Sequence, residues 1–269
     1  MICLALFASA QPGWQWGKAG GSRYSTDLGN NPITEWITSM ATDPNGNVYA
    51  LANIARDKVY IGKDSSTPFN NPTVVPNYVF MSWACDGRLR WIKTIGPANV
   101  RELATDTLGG VYMIGNMNVM NGNNFDTDTI IAPQGPNVWN DNFIIKYDTS
   151  GHVKWLRMPD PNIVTMANMD NRPGFYHIQA APNGDLHILS YLPTGAHMNG
   201  AYPVTQNGVH ILKYNKDGVF TGGTRLQVNV PQTSSGPDAL HLLAGILIGI
   251  PGTAGIICLL PLTGTAILL

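Results

Sequence analysis

Met40-Ala-Thr-Asp-Pro-Asn-Gly-Asn-Val-Tyr49 decides the fold, because the chain writes it three times. Leu103-Ala-Thr-Asp-Thr-Leu-Gly-Gly-Val-Tyr112 and Ile178-Gln-Ala-Ala-Pro-Asn-Gly-Asp-Leu-His187 are the other copies. A second pattern follows each of them: Tyr78 to Gly87, Asn142 to Gly151 and Val209 to Gly218. The order never changes, so Gly46, Gly109 and Gly184 alternate with Gly87, Gly151 and Gly218. Self-similarity in fixed order at such a period marks a modular repeat fold.

Each pattern reads as a hairpin. In the first, Asp43, Pro44, Asn45 and Gly46 favour a tight reversal through Asx bonding, a preset φ and tolerance of positive φ, and Val48 to Leu51 leads out as a strand. In the second, Tyr78 to Trp83 enters a turn at Asp86-Gly87 and Leu89 to Ile92 returns. Two hairpins give four antiparallel strands per repeat of about 65 residues, the make-up of a β-propeller blade. The expected class is therefore all-β and β-propeller-like. Trp16-Gly-Lys-Ala-Gly-Gly21 matches Trp91-Ile-Lys-Thr-Ile-Gly96, so the chain is expected to enter on the last strand of a blade, the strand that commonly closes such a ring. Three repeats fall short of the roughly four blades that closure needs, and the ring is expected to be incomplete.

Composition suits this class. Of the 269 residues only 12% are charged, against ~25% in ordinary globular chains, and 29 Gly and 19 Pro disfavour long helices. A net charge of −1 leaves no electrostatic footprint for nucleic acid or an anionic membrane. Residues 1–10 are apolar and end Ala8-Ser9-Ala10, which reads as a signal peptide, though no basic residue precedes the apolar stretch. Residues 11–235 hold the repeats. In the tail, 236–269, no Asp, Glu, Lys or Arg occurs after residue 238. The Pro-free stretch Leu240 to Ile250 is shorter than the ~20 residues of a membrane span. A misread end, a Pro-interrupted anchor and buried strands all remain open readings, and membrane contact is expected only if the tail is a true anchor. With Cys3 lost alongside the signal, Cys85 and Cys258 remain, so disulfides are not the framework.

Ala41 to Tyr49, Phe143 to Trp155 and Trp16 to Gly21 together resemble the bacterial extracellular β-propeller repeat called SBBP, over about residues 14–230. The resemblance implies the propeller fold and a secreted setting. It implies little about activity, since such repeats occur in adhesins, in surface proteins and beside enzymatic domains. Members commonly carry more repeats and a C-terminal sorting domain, and neither is found in this sequence.

The repeat alignment answers most invitations to chemistry. His187 takes the place of Tyr49 and Tyr112, His210 that of Val79 and Phe143, and His152 that of Arg88, so packing explains them and no metal site is expected. Asn121 to Asp128 offers hard oxygens that would suit calcium, but the residues are ordinary turn formers and lack a calcium loop's spacing. Trp16, Trp91 and Trp155 share one position, and Trp83 aligns with Tyr147 and Tyr214, which points to packing between neighbouring repeats. Trp14, Trp36 and Trp139 stand outside the repeated positions, and Trp139 is the best candidate for a ligand contact. No G-x-S-x-G, C-x-x-C, H-E-x-x-H or phosphate loop occurs, and the two glutamates, Glu35 and Glu102, are far apart. The expected protein is a secreted or cell-surface scaffold binding protein or glycan, with no catalytic residue, metal or cofactor. The alternatives are a propeller-based polysaccharide hydrolase or lyase and a membrane-tethered surface protein.

Overall fold

The computed structural model describes residues 17, 20–22, 36–53, 59–66, 78–96, 98–118, 123–126, 129–131, 140–159 and 173–227, all without helix. The repeats become three four-stranded antiparallel sheets, each a meander in chain order. The first holds β2 (Trp36–Thr42), β3 (Val48–Asn53), β6 (Tyr78–Trp83) and β7 (Leu89–Ile95). The second holds β8 (Ala98–Thr105), β9 (Val111–Asn118), β12 (Asn140–Tyr147) and β13 (Val153–Arg157). The third holds β14 (Gly174–Ala180), β15 (Leu186–Leu192), β18 (Gly208–Tyr214) and β19 (Phe220–Arg225).

A short hairpin that the repeat pattern did not reveal lies between the second and third strands of every unit. These are β4 (Val59–Ile61) with β5 (Asp64–Ser66), β10 (Asn123–Asp126) with β11 (Thr129–Ile131), and β16 (Gly195–His197) with β17 (Tyr202–Val204). The hairpins differ in sequence, and three-residue strands carry almost no periodic signal. Each lies over one side of its unit's third strand. Val59 and Ile61 pack with Trp83, Tyr147 donates to Phe125 O at 3.1 Å, and Tyr214 Oη lies 3.0 Å from Met198 Sδ.

The register is the same three times over. Tyr49 faces Ser82, Tyr112 faces Lys146 and His187 faces Lys213. Each unit carries two bulges at matching places. One leaves Thr38, Arg101 or Tyr176 unmatched on the first strand, and the other leaves Arg90, Lys154 or Thr221 unmatched on the fourth. Such bulges bend a strand and re-aim the side chains beside them. The turns are tied alike: Asp43, Asp106, Asp148 and Asn215 each accept two backbone N–H bonds, from residues two and four places on.

The units bury their cores against one another. Tyr49, Leu51, Tyr78, Phe80 and Ile95 of the first meet Val100, Leu103, Met113, Ile145 and Tyr147 of the second. Tyr112, Ile114 and Ile144 of the second meet Phe175, Ile178, Ile188 and Leu212 of the third. Each large side chain fully buried there contributes about 1.5–3 kcal/mol.

The N-terminus departs from expectation. β1 (Gly20–Ser22) does not join a four-stranded sheet but pairs with β4, making the first unit's small hairpin a three-stranded sheet. A Cβ at Gly20 would sit 2.7 Å from Tyr60 O, so glycine there lets the backbones approach. Trp16 and the tail beyond residue 227 lie outside the described residues.

One residue per seam tests the packing. Gly151 has a φ of +83°, and a Cβ on it would lie 2.9 Å from the Trp91 ring, whereas a Cβ on Gly62, at +59°, would meet nothing within 4 Å. Gly151→Ala is expected to cost about 2–4 kcal/mol by urea denaturation, through backbone strain plus overpacking, and Gly62→Ala only the strain of about 1 kcal/mol. Equal losses would mean that Trp91 does not seat on that turn.

Candidate functional site

The side chain after the bulge on each unit's first strand is Ser39, Glu102 or His177, and the first two reach the next unit. Ser39 Oγ accepts the Leu103 N–H at 3.0 Å. One unit further on, Glu102 Oε2 accepts the Ile178 N–H at 2.8 Å. Leu103 and Ile178 are matching positions, so one contact has been built twice with different chemistry. Glu102 makes a second link, its oxygens lying 2.8 and 3.0 Å from His177 Nδ1. That hydrogen bond raises the His177 pKa above its ordinary value, while partial burial opposes it. A histidine held by a carboxylate is the arrangement of a positioned base, and this one lies across the seam of two sheets. Sequence reasoning set Glu102 aside as a solitary carboxylate, since only the bulge and the seam bring His177 to it.

A second polar column runs along the outer strands. Trp91 donates Nε1–H to Thr149 O at 3.0 Å, and Trp155 donates to Lys216 O at 3.2 Å. Beside it, Tyr49 donates to Asp43 at 3.0 Å, and Tyr112 to Asp106 at 2.6 Å. Asp43 stays below its usual pKa: burial pushes it up, but hydrogen bonds from Asn47, Tyr49 and Asn45 outweigh that. Burial, reinforced by Asp106, pushes Tyr112 well up. Each pair has a cation, supplied from a different strand. In the first unit Arg90 of β7 reaches Tyr49 Oη at 3.1 Å and Thr149 O at 2.7 Å. In the second Lys146 of β12 lies 3.8 Å from Asp106 and reaches Lys216 O at 3.3 Å. In both, the charge ends on the next unit's turn.

The third unit abandons this column. Ala181 stands for the aspartate, His187 for the tyrosine and Gly222 for the tryptophan. His187 is half-buried with an unpartnered Nδ1, and burial together with the Lys213 charge lowers its pKa. His210, which the repeat comparison assigns to packing, is buried with Nδ1 3.0 Å from Tyr202 Oη and Nε2 unpartnered. Burial, Arg225 and His197 push its pKa down to about 4. Buried His197 donates Nε2–H to Pro193 O at 2.7 Å, and His152 is an exposed turn residue 3.8 Å from Asp148.

Of the other residues singled out in the sequence, Trp139 and Trp14 lie outside the described residues, as do Asn121, Asp128 and Glu35. Asn123–Asp126 is strand β10. Trp36 is 52% exposed. Cys85 is exposed, in the turn matching Thr149 and Lys216. Among the described residues, no three His, Cys, Asp or Glu gather as a metal site and no helix is long and apolar enough to cross a membrane.

No family model and no curated protein matches the chain. Among solved structures it is similar to a luciferin-regenerating enzyme, at 12% identity and a TM-score of 0.34, over 71% of this chain and 47% of that one. The chain thus spans about half of that protein's length. It is also similar to a protein of unknown function from Bacteroides caccae, at 9% identity and a TM-score of 0.23, over 73% of this chain and 85% of that one. A member of the DUF4221 family from Bacteroides vulgatus is similar at 9% identity and a TM-score of 0.23, over 78% and 85%. Likenesses at these TM-scores carry no argument about the site.

The two perturbed histidines predict opposite pH dependences. His177, with its folded pKa raised, stabilises fully below its unfolded pKa of about 6.5 and loses that contribution as pH rises through the folded value. His210, with its folded pKa lowered, favours folding fully above about 6.5, and its contribution falls as pH drops from there to about 4. His210→Gln is therefore expected to flatten the acid limb of a stability–pH profile by up to about 3 kcal/mol, and His177→Gln to flatten the limb above pH 6.5. Chemical denaturation at a series of pH values checks both. A profile unchanged by either variant would refute the corresponding assignment.

Proposed function

We propose that the three units are β-propeller blades and that the chain is a secreted or cell-surface scaffold binding a protein or glycan without chemistry of its own. Three meanders with one register, matching bulges and a repeated seam support the reading as blades. The observation that carries the scaffold role is where the charged side chains end. Arg90 and Lys146 terminate on the next unit's turn carbonyls, Asp43 and Asp106 on turn N–H groups and tyrosines, and Glu102 on the Ile178 N–H. Groups so occupied hold blades together. The low charge and the Ala8-Ser9-Ala10 ending of the apolar first residues favour export, and the SBBP-like runs fit a protein of that setting. Trp139, outside the repeated positions, remains the ligand contact proposed, by stacking of its indole on a sugar ring or a partner's apolar side chain.

One observation favours a polysaccharide hydrolase or lyase as the second reading: the carboxylate-held His177, placed where two first strands meet. An array of plant, algal and bacterial polysaccharides, probed with the intact chain and assayed for released reducing ends, separates the two. Retention without turnover is expected, and Trp139→Ala is expected to weaken it about tenfold. Turnover that disappears in a folded His177→Gln variant would put the enzyme reading first.

A further inference from the structure

Three of the six exposed large hydrophobic residues among those described sit on β2: Trp36, Ile37 and Met40, at 52%, 55% and 59% exposure. The repeat shows what covers such positions elsewhere. Ile37 and Met40 correspond to Val100 and Leu103, at 2% and 5%, and to Phe175 and Ile178, both at 3%. In the second unit these residues pack on Leu51 and Phe80 of the unit before, and in the third on Ile114 and Ile144. The matching pair on the last unit is Leu189 and Ile211, with Val209 beside them; Leu189 and Val209 are buried beside Tyr176, and half-buried Ile211, Tyr191 and Leu226 pack over them. One end of the described stack thus presents the apolar strip that a preceding unit would cover, and at the other end half-buried Ile211, Tyr191 and Leu226 stand where the covering face would meet such a strip.

We infer that the occupant of the Ile37–Met40 strip is the third unit of a second copy of this chain, docked head to tail so that the seam between units continues across molecules. The polar contacts continue with the apolar ones. After Ser39 to Leu103 N–H and Glu102 to Ile178 N–H, the next pair in the series is His177 to the Met40 N–H of the second copy. Glu102 engages His177 through Nδ1, which in the neutral ring leaves Nε2 as the acceptor. Thr105 donates to Thr42 O at 2.7 Å, and the corresponding bond runs from the second copy's Thr42 hydroxyl to Ala180 O. Lys146 reaches Lys216 O, and the corresponding contact runs from exposed Lys213 to Cys85 O of the second copy.

What the third unit lacks fits an association between molecules. Gly222 replaces the tryptophan, and Ala181 and His187 replace the aspartate and tyrosine, so the outer column is missing while the inner apolar seam is kept. A contact held by half of the usual seam is reversible. A head-to-tail interface either closes into a ring or grows into a filament. Closed propellers have about four to eight blades, and six, from two copies of three, is the only multiple of three in that range. The count of six rests on the blade reading, whereas the contact rests on the repeated packing alone. Failure here leaves the polysaccharide-binding test untouched.

Sedimentation velocity of the full chain across about two decades of concentration is expected to show a reversible monomer–dimer equilibrium. Met40→Arg alters one face, and Lys213→Glu, at an exposed position, alters the other without disturbing the core. Each variant alone is expected to be monomeric, and an equimolar mixture is expected to regain a species of dimer mass, because one intact seam remains. In the unmodified chain, peroxide oxidation of Met40, followed by mass spectrometry, is expected to slow about tenfold between the dilute and concentrated ends. A dimer that survives in Lys213→Glu alone would mean a back-to-back contact of two β2 strips and overturn the inference. A chain monomeric throughout, with Met40 oxidised equally fast at both ends, would overturn it as well, and slow oxidation at both would identify the chain's own residues beyond 227 as the cover.

Discussion

The rest of the structure depends on a tryptophan lying over a glycine. Trp91 and Trp155 each send an indole N–H to a turn carbonyl of the next unit while the ring rests against the glycine two residues later, Gly151 or Gly218. That glycine has a positive φ, at +83° or +75°, which an L side chain adopts only at a cost, and a Cβ there would enter the ring. One residue thus serves two levels of structure. It closes a hairpin within its own sheet, and it offers a flat seat to the sheet before. The repeat can therefore propagate only in one direction, outer strand to following turn.

This directionality explains why the polar groups of the protein are used as they are. Each seam brings two side-chain donors to one carbonyl of the turn it covers. The first seam supplies Trp91 and Arg90, both to Thr149 O, and the second supplies Trp155 and Lys146, both to Lys216 O. The cation has moved from β7 to β12 without changing its destination. What is kept between units is the place where a positive donor must arrive, not the residue that brings it.

The same distinction decides what could be read from the sequence. Turns and strand registers were legible, because Asp-x-x-Gly patterns and the Tyr49, Tyr112, His187 series recur in linear order. The packing role of Trp91 and Trp155 was legible for the same reason. The three small hairpins were not, because they are short and mutually unlike, and β1 pairing with β4 rather than joining a four-stranded sheet followed from one of them. Nor was the Glu102–His177 pair, whose members lie 75 residues apart and meet only through a bulge that shifts register by one residue. A bulge leaves no mark in hydrophobic alternation beyond an extra residue, which in Trp36–Thr42 cannot be told from an irregular strand.

The comparison among units also separates two kinds of departure from a repeat. Ser39, Glu102 and His177 differ from one another, yet the first two do the same work, accepting the backbone N–H of the following unit. Variation there is substitution within a role. At the outer column of the third unit, by contrast, three departures occur together, at Ala181, His187 and Gly222, and the role itself is gone. Removing the aspartate alone would have left a buried tyrosine hydroxyl without its acceptor, and removing the tyrosine alone would have left a carboxylate with fewer donors. Losing both, and the tryptophan with them, leaves fewer polar groups to satisfy on that face. The inner strands keep their apolar residues through the same change, so the two halves of the seam are separable.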